Sequence, residues 1–142
     1  MPFTPRRLLL TYDDTGGRCG AVVARMERML VDRAFAVTVT PLAQAPTQLD
    51  AFDGVILGTP VSLRRDGPTA AVLEWIDRAE GLDEKKVALF SAFWLRPGTA
   101  LPVLRARLAE LGVEVVVEFA YWLGKPEDGD HVLPAECMVR IR

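Results

Sequence analysis

A chain of 142 residues, half of them apolar and a quarter charged, suits one globular domain around one core. Its net charge of −2 gives no global field that would draw nucleic acid or an anionic membrane, and no basic run is interleaved with aromatics. Apolar runs of at most five residues are too short to span a bilayer, and the three leucines after Arg6–Arg7 are too few for a secretory signal, so a cytoplasmic location is expected.

Arg6–Tyr12 reads as a buried strand, a short apolar run ended by Asp and Gly. From Cys19 to Arg33 apolar residues recur at Val22, Val23, Met26, Met29 and Leu30, one face of an amphipathic helix. Phe35–Thr40 is β-branched and alternating, hence a second strand ended by Pro41. The segment 42–52 has room for a turn or two of helix. Residues 53–60, "DGVILGTP", form the most strongly buried strand pattern. Residues 61–67 are a polar loop, with Asp66 as the expected N-cap and Pro68 in the first turn of a helix to about Glu80. Val72, Leu73 and Ile76 give that helix its apolar face. Residues 85–93 read as a fourth strand and 94–99 as a loop. Leu101, Leu104, Leu108 and Leu111 mark a helix ended by Gly112, and residues 113–123 a fifth strand. A turn over 124–131 leads to 133–142, where Pro134 suits a helix while Val139 and Ile141 also suit a strand.

Strands alternate with helices and are apolar enough to be buried on both faces. That pattern predicts a single α/β domain, a five-stranded parallel sheet with helices on each side. Right-handed crossovers make 2-1-3-4-5 the leading strand order. Ligands in such sheets bind at the carboxyl ends of the strands, where the order reverses. The expected site is therefore built from three loops. The first, Tyr12–Arg18, opens onto a helix N-terminus, whose free N–H groups and positive dipole end favour an anion. Thr15 adds a hydroxyl, and Gly16 and Gly17 permit close backbone approach. The second follows strand three at Thr59–Ser62. The third, Phe93–Leu95, follows strand four.

At these loops the chain resembles the flavodoxin family. "LLLTYDDTGGRCGAVVARM" looks like its first strand, phosphate loop and first helix. "FDGVILGTPV" with "GPTAAVLEWI" looks like its third strand and following helix, and "KKVALFSAF" with "LPVLRARLAELGVEVV" like its fourth strand and helix. The resemblance implies non-covalently bound FMN as cofactor and electron transfer to a redox partner protein. It implies cofactor contacts from Asp13, Asp14, Thr15, Gly16, Gly17 and Arg18 at the phosphate. It also implies contacts from Thr59, Pro60, Val61 and Ser62 on one side of the ring, and from Phe93, Trp94 and Leu95 on the other. No metal ligand and no catalytic residue is implied. The family's phosphate loop is usually T/S-x-T-G-x-T. Here the central Thr15–Gly16 is kept, while Asp13 and Arg18 replace the outer hydroxyl residues. An Asp roughly 6 Å from a phosphate charge costs about 3 kcal/mol per charge pair at an effective dielectric near 20. Arg18 returns a similar amount as a bidentate partner. Alternatively, Asp13 points to solvent or caps the helix, and capping places its carboxylate where the phosphate would be.

The aromatic that the family often carries after strand three is missing, since Val61, Ser62 and Leu63 stand there. Trp94 is a ring-stacking residue or a plug over the sheet end. Tyr121 and Trp122 either close the same crevice or pack in the core. Arg64 and Arg65 are solvated loop charges or, if they face a flavin, raise its potential. Three other functions remain open: a cofactor-free binding or regulatory module of the same fold, a small-molecule flavin oxidoreductase, and a receiver-like domain. For the last, Asp13, Asp14 and Lys125–Pro126 match, but Gly58 and Thr59 stand where the phospho-accepting Asp is required. Cys19 at a helix start is either an activated thiol or a small buried residue. Cys137 suits packing and His131 a surface loop. With one His and two Cys in the chain, neither a zinc cluster nor a disulfide scaffold is expected.

Overall fold

The computed structural model describes residues 4–62, 64 and 66–123. Leu63, Arg65, Lys125–Pro126, the expected turn over 124–131 with His131, and the final segment 133–142 with Cys137 lie outside the described residues. Five strands, β1 (Arg7–Tyr12), β2 (Ala36–Pro41), β3 (Gly54–Pro60), β4 (Lys86–Phe93) and β5 (Val115–Trp122), alternate with α1 (Gly20–Asp32), α2 (Ala70–Arg78) and α3 (Ala100–Glu110). Every pairing is parallel and the strand order is β2-β1-β3-β4-β5. The predicted fold class and topology hold. Segment 42–52 contains a single helical turn at Leu42–Gln44. Among the described residues no helix is long and apolar enough to cross a membrane.

The period of two along each strand sorts the core into two layers. Leu8, Leu10, Ile56 and Phe90 pack with Val22, Val23, Met26 and Leu30 of α1. Leu9, Val55, Leu57 and Leu89 pack with Val72, Trp75 and Ile76 of α2 and with Leu104 and Leu108 of α3. β3 is buried throughout, as a central strand covered on both faces must be. Gly58 is required on it: a Cβ there would lie 2.0 Å from the Phe90 ring. Arg107 bridges α3 to Asp77 of α2 through two contacts of 3.0 and 2.5 Å.

Three helix details differ from expectation. Asp66 is not the N-cap of α2, because Gly67 and Pro68 intervene and the residue before a proline is held out of the helical region. Thr69 occupies that position with extended backbone, φ −70° and ψ 155°. The face of α2 is Val72, Trp75 and Ile76, with Leu73 only half-buried. In α3, Leu111 is 46% exposed, since it lies past the last helical turn and Val113 re-enters the core instead.

Candidate functional site

The carboxyl ends of β1, β3 and β4 converge as the topology requires, and their loops are tied to one another. The Asp13 N–H donates to the Gly58 carbonyl at 3.1 Å, and the Val61 N–H to the Ala92 carbonyl at 2.9 Å. Asp66 serves as a clasp between the loops after β3 and β4. Its carbonyl accepts from the Thr99 N–H at 3.0 Å, and its carboxylate pairs with Arg96 at 3.2 Å. Gly98 passes so close that a Cβ would lie 2.4 Å from the Asp66 carbonyl oxygen, and its φ of +62° suits glycine alone. On the far side the Trp122 indole donates to the Trp94 carbonyl at 3.0 Å. These ties fix the two walls of a crevice relative to each other.

That crevice has a volume of about 310 Å³ and is lined by Arg18, Val61, Ser62, Trp94, Leu95 and Arg96. Trp94 is 57% exposed, so its indole stands at the mouth instead of plugging the sheet end. A second crevice of about 410 Å³ adjoins it and shares Arg18 and Ser62. Its other lining residues are Asp13, Thr15, Pro60, Arg64, Thr69, Ala70 and Ala71.

The loop after β1 is organised by Asp13. One carboxylate oxygen accepts from the Thr15 N–H at 2.9 Å and from the Thr15 hydroxyl at 2.6 Å. The other accepts from the Thr69 hydroxyl at 2.5 Å. The Thr69 N–H in turn donates to the Thr59 hydroxyl at 3.3 Å. Asp13 is only 9% exposed, and donors on both of its oxygens offset the cost of burying it. Asp13 takes neither alternative, solvent or helix cap: it turns inward. The carboxylate engages the loop N–H of Thr15 but does not cap α1. Gly16 and Gly17 take φ of +73° and +68°, turning the loop. The Gly17 N–H donates to the Asp14 carbonyl at 2.9 Å. Arg18 folds back over Gly16, where a Cβ would meet its Nη1 at 2.8 Å. Among the described residues its buried Nε has no hydrogen-bond partner.

Eight of the thirteen expected contact residues line the two crevices: Asp13, Thr15, Arg18, Pro60, Val61, Ser62, Trp94 and Leu95. Asp14 lies on the other side of the loop, with its carboxylate over Gly20. Gly16 and Gly17 shape the backbone, and buried Thr59 holds the start of α2. Phe93 is half-buried at the end of β4. Tyr121 belongs to the core, edge-on to Phe90 and Phe119. Cys19 is fully buried, and burial pushes its thiol far above the ordinary range, with Asp13 and Asp14 adding to the shift and Arg18 opposing it. The buried alternative for Cys19 therefore holds. Sequence reasoning missed Thr69 and Arg96, and left Arg64 as either a solvated charge or a residue facing the ligand; it is exposed at the rim of the second crevice. Thr69 had a local signal, a hydroxyl residue directly after Gly67–Pro68 at a helix start. Among the described residues no three His, Cys, Asp or Glu converge to hold a metal ion.

No protein-family model matches the chain, and no curated protein matches it in sequence. Solved structures do match. The two-electron reduced flavodoxin of Megasphaera elsdenii superposes with a TM-score of 0.73 at 18% identity, covering 94% of each chain. The fold is flavodoxin-like. A flavodoxin from the domain Archaea gives a TM-score of 0.70 at 16% identity, covering 94% of this chain and 92% of that one. A flavodoxin mutant of Fusobacterium nucleatum bound to flavin mononucleotide gives 0.60 at 19% identity, covering 80% and 69%.

A flavin would bring a planar ring, a polyol chain and, in FMN, a phosphate to these crevices. The first crevice suits a planar, largely apolar ring, with an indole at one wall and Val61 at the other. Ser62 offers a hydroxyl to a polyol chain in the second. The phosphate end is divided. The unpartnered Arg18 Nε suits an anion, while the Asp13 carboxylate already holds the Thr15 donors.

Proposed function

We propose that the chain is an electron carrier that binds a flavin of the FMN type non-covalently and exchanges electrons with a protein partner. The observation that carries this proposal is the pairing of an aromatic-walled crevice with a hydroxyl- and arginine-lined one, joined at Arg18 and Ser62, at the switch point of the sheet. The flavodoxins with the same fold support it, one of them bound to FMN.

A bound flavin supplies the redox chemistry. The residues of this chain bind and orient it. Val61 and Trp94 sandwich or edge the ring, and the ties through Asp66 and Trp122 keep these walls at a fixed separation. Arg18 lines both crevices, and beside the ring its charge favours a reduced, anionic form, less so for being offset by Asp13 in the adjoining crevice.

The test is a visible spectrum of the purified protein after loading with flavin and removal of what is unbound, repeated for Trp94→Ala. Retained flavin bands, with affinity about threefold to tenfold weaker in the variant, are expected from the worth of one aromatic contact. A colourless protein after loading refutes the proposal. It would leave the second function, a cofactor-free binding module, which the engagement of the loop donors by Asp13 favours.

A further inference from the structure

Resting on the flavin site just described, we propose that Asp13 is a resident anion in the position of the ligand's phosphate. The site then selects a flavin by its ring and ribityl chain, and takes the phosphate-free form, riboflavin, at least as tightly as FMN.

A loop of this shape at a helix N-terminus normally holds an external anion with its N–H groups and hydroxyls. Here those groups face inward. The Thr15 N–H and hydroxyl both end on one oxygen of Asp13, and the Thr69 hydroxyl, 56 residues away in sequence, ends on the other. Of the other loop donors, the Gly17 N–H is taken by the Asp14 carbonyl. Asp13 is 9% exposed, so it sits in the floor of the second crevice and not in solvent beside it.

Charge points the same way. One carboxylate and the Arg18 guanidinium line the crevice together, so their charges already offset before any ligand enters. Arg64 is exposed, and water and salt screen it. At about 6 Å and an effective dielectric near 20, a carboxylate weakens binding of each added negative charge by about 100-fold. A phosphate therefore gains from Arg18 roughly what it loses to Asp13. The ring crevice and the Ser62 hydroxyl, which riboflavin engages as well as FMN, carry the affinity.

The experiment measures dissociation constants of riboflavin and FMN by flavin fluorescence for the wild type and for Asp13→Asn. The amide oxygen keeps an acceptor for the Thr15 N–H, its NH2 can donate to the Thr69 hydroxyl, which then turns to accept, and the charge is removed. Riboflavin should bind the wild type at least as tightly as FMN. Asp13→Asn should shift the ratio towards FMN by about 100-fold while leaving riboflavin nearly unchanged. Inorganic phosphate should neither stabilise the wild-type apoprotein nor compete with riboflavin, a measurement that stands even if the variant does not fold. Wild-type preference for FMN of about tenfold or more, an unchanged ratio in Asp13→Asn, or stabilisation by phosphate would each overturn the resident anion while leaving flavin binding intact. Failure of both flavins to bind the wild type would overturn flavin binding itself, and the resident anion's role in it.

Discussion

Gly58→Ala probes the packing on which the site stands. The added Cβ would lie 2.0, 2.4 and 2.5 Å from three atoms of the Phe90 ring. Carbon atoms settle at about 3.5–4.0 Å, so the ring or the strand must move by roughly 1.5 Å. Phe90 has little freedom to give way. It is fully buried, lies on β4 between β3 and β5, and meets Tyr121 edge-on with centroids 6.5 Å apart and planes at 84°. Overpacking a filled core by one methyl costs about 1–3 kcal/mol, and contact with a whole ring edge puts the expected loss at about 3 kcal/mol. That is a large share of the ~5–15 kcal/mol that holds a domain together. Strand movement would also disturb the Gly58 carbonyl that receives the Asp13 N–H. Urea denaturation followed by circular dichroism and tryptophan fluorescence measures the loss. In a Phe90→Leu background the same substitution should cost at least about 1 kcal/mol less. A destabilisation below about 0.5 kcal/mol, or strict additivity in the double variant, would refute the claim that Gly58 exists to admit this ring.

Thr69→Val should destabilise the protein by about 1.5–3 kcal/mol, since it strips a donor from a buried carboxylate. Thr69→Ser should restore most of it, and equal denaturation midpoints for the two variants would show that the hydroxyl is idle. Cys19, buried and with its thiol pushed up, should resist alkylation by iodoacetamide at pH 8 and react only on unfolding. Site-resolved mass spectrometry of the native protein showing modified Cys19 would contradict this. The backbone N–H and guanidinium of Arg7 hold Asp53 below the ordinary carboxylate range. Its contribution is complete above the unfolded value near pH 4 and is lost as pH falls through the lower folded value. Asp53→Asn should therefore be less stable than wild type at pH 7 by about 1 kcal/mol or less, given the exposure of the pair. The gap should close as pH falls below the unfolded value and through the lower folded one, and a gap constant with pH would exclude the linkage.

The sheet was legible because burial of a parallel strand leaves a mark in composition. "LLL", "VIL" and "VALF" admit no solvent-facing alternation, and the β-α alternation then dictates the crossovers. Helix ends were harder, since capping depends on what else competes for a side chain. Asp66 has the composition of an N-cap, yet it is drawn away by Arg96 and Thr99, which are brought near only by the fold. Trp75 escaped notice because Leu73 suits the same apolar stripe by type. Only the tilt of α2 on the sheet decides which of the two turns inward.

The loop after β1 shows the same limit at the site itself. Thr15 and Gly16 match the family pattern by residue type, but their surroundings assign their roles. Thr15 turns both its N–H and its hydroxyl onto Asp13. Gly16 is needed for its φ of +73°, while the Arg18 guanidinium above it is the flexible end of a side chain that would yield to a Cβ. A retained hydroxyl thus reports a retained turn and not a retained ligand contact. The deciding group, Thr69, lies on another element, and its hydroxyl bond to Asp13 completes a polar network that runs from β1 through α2 to Thr59 of β3. Such a network rigidifies the carboxylate in place. On the binding proposed above, an anion held this firmly by the protein's own donors leaves an incoming phosphate with half-buried Arg18 as its partner, and affinity then depends on how well the crevice between Val61 and Trp94 grips a ring.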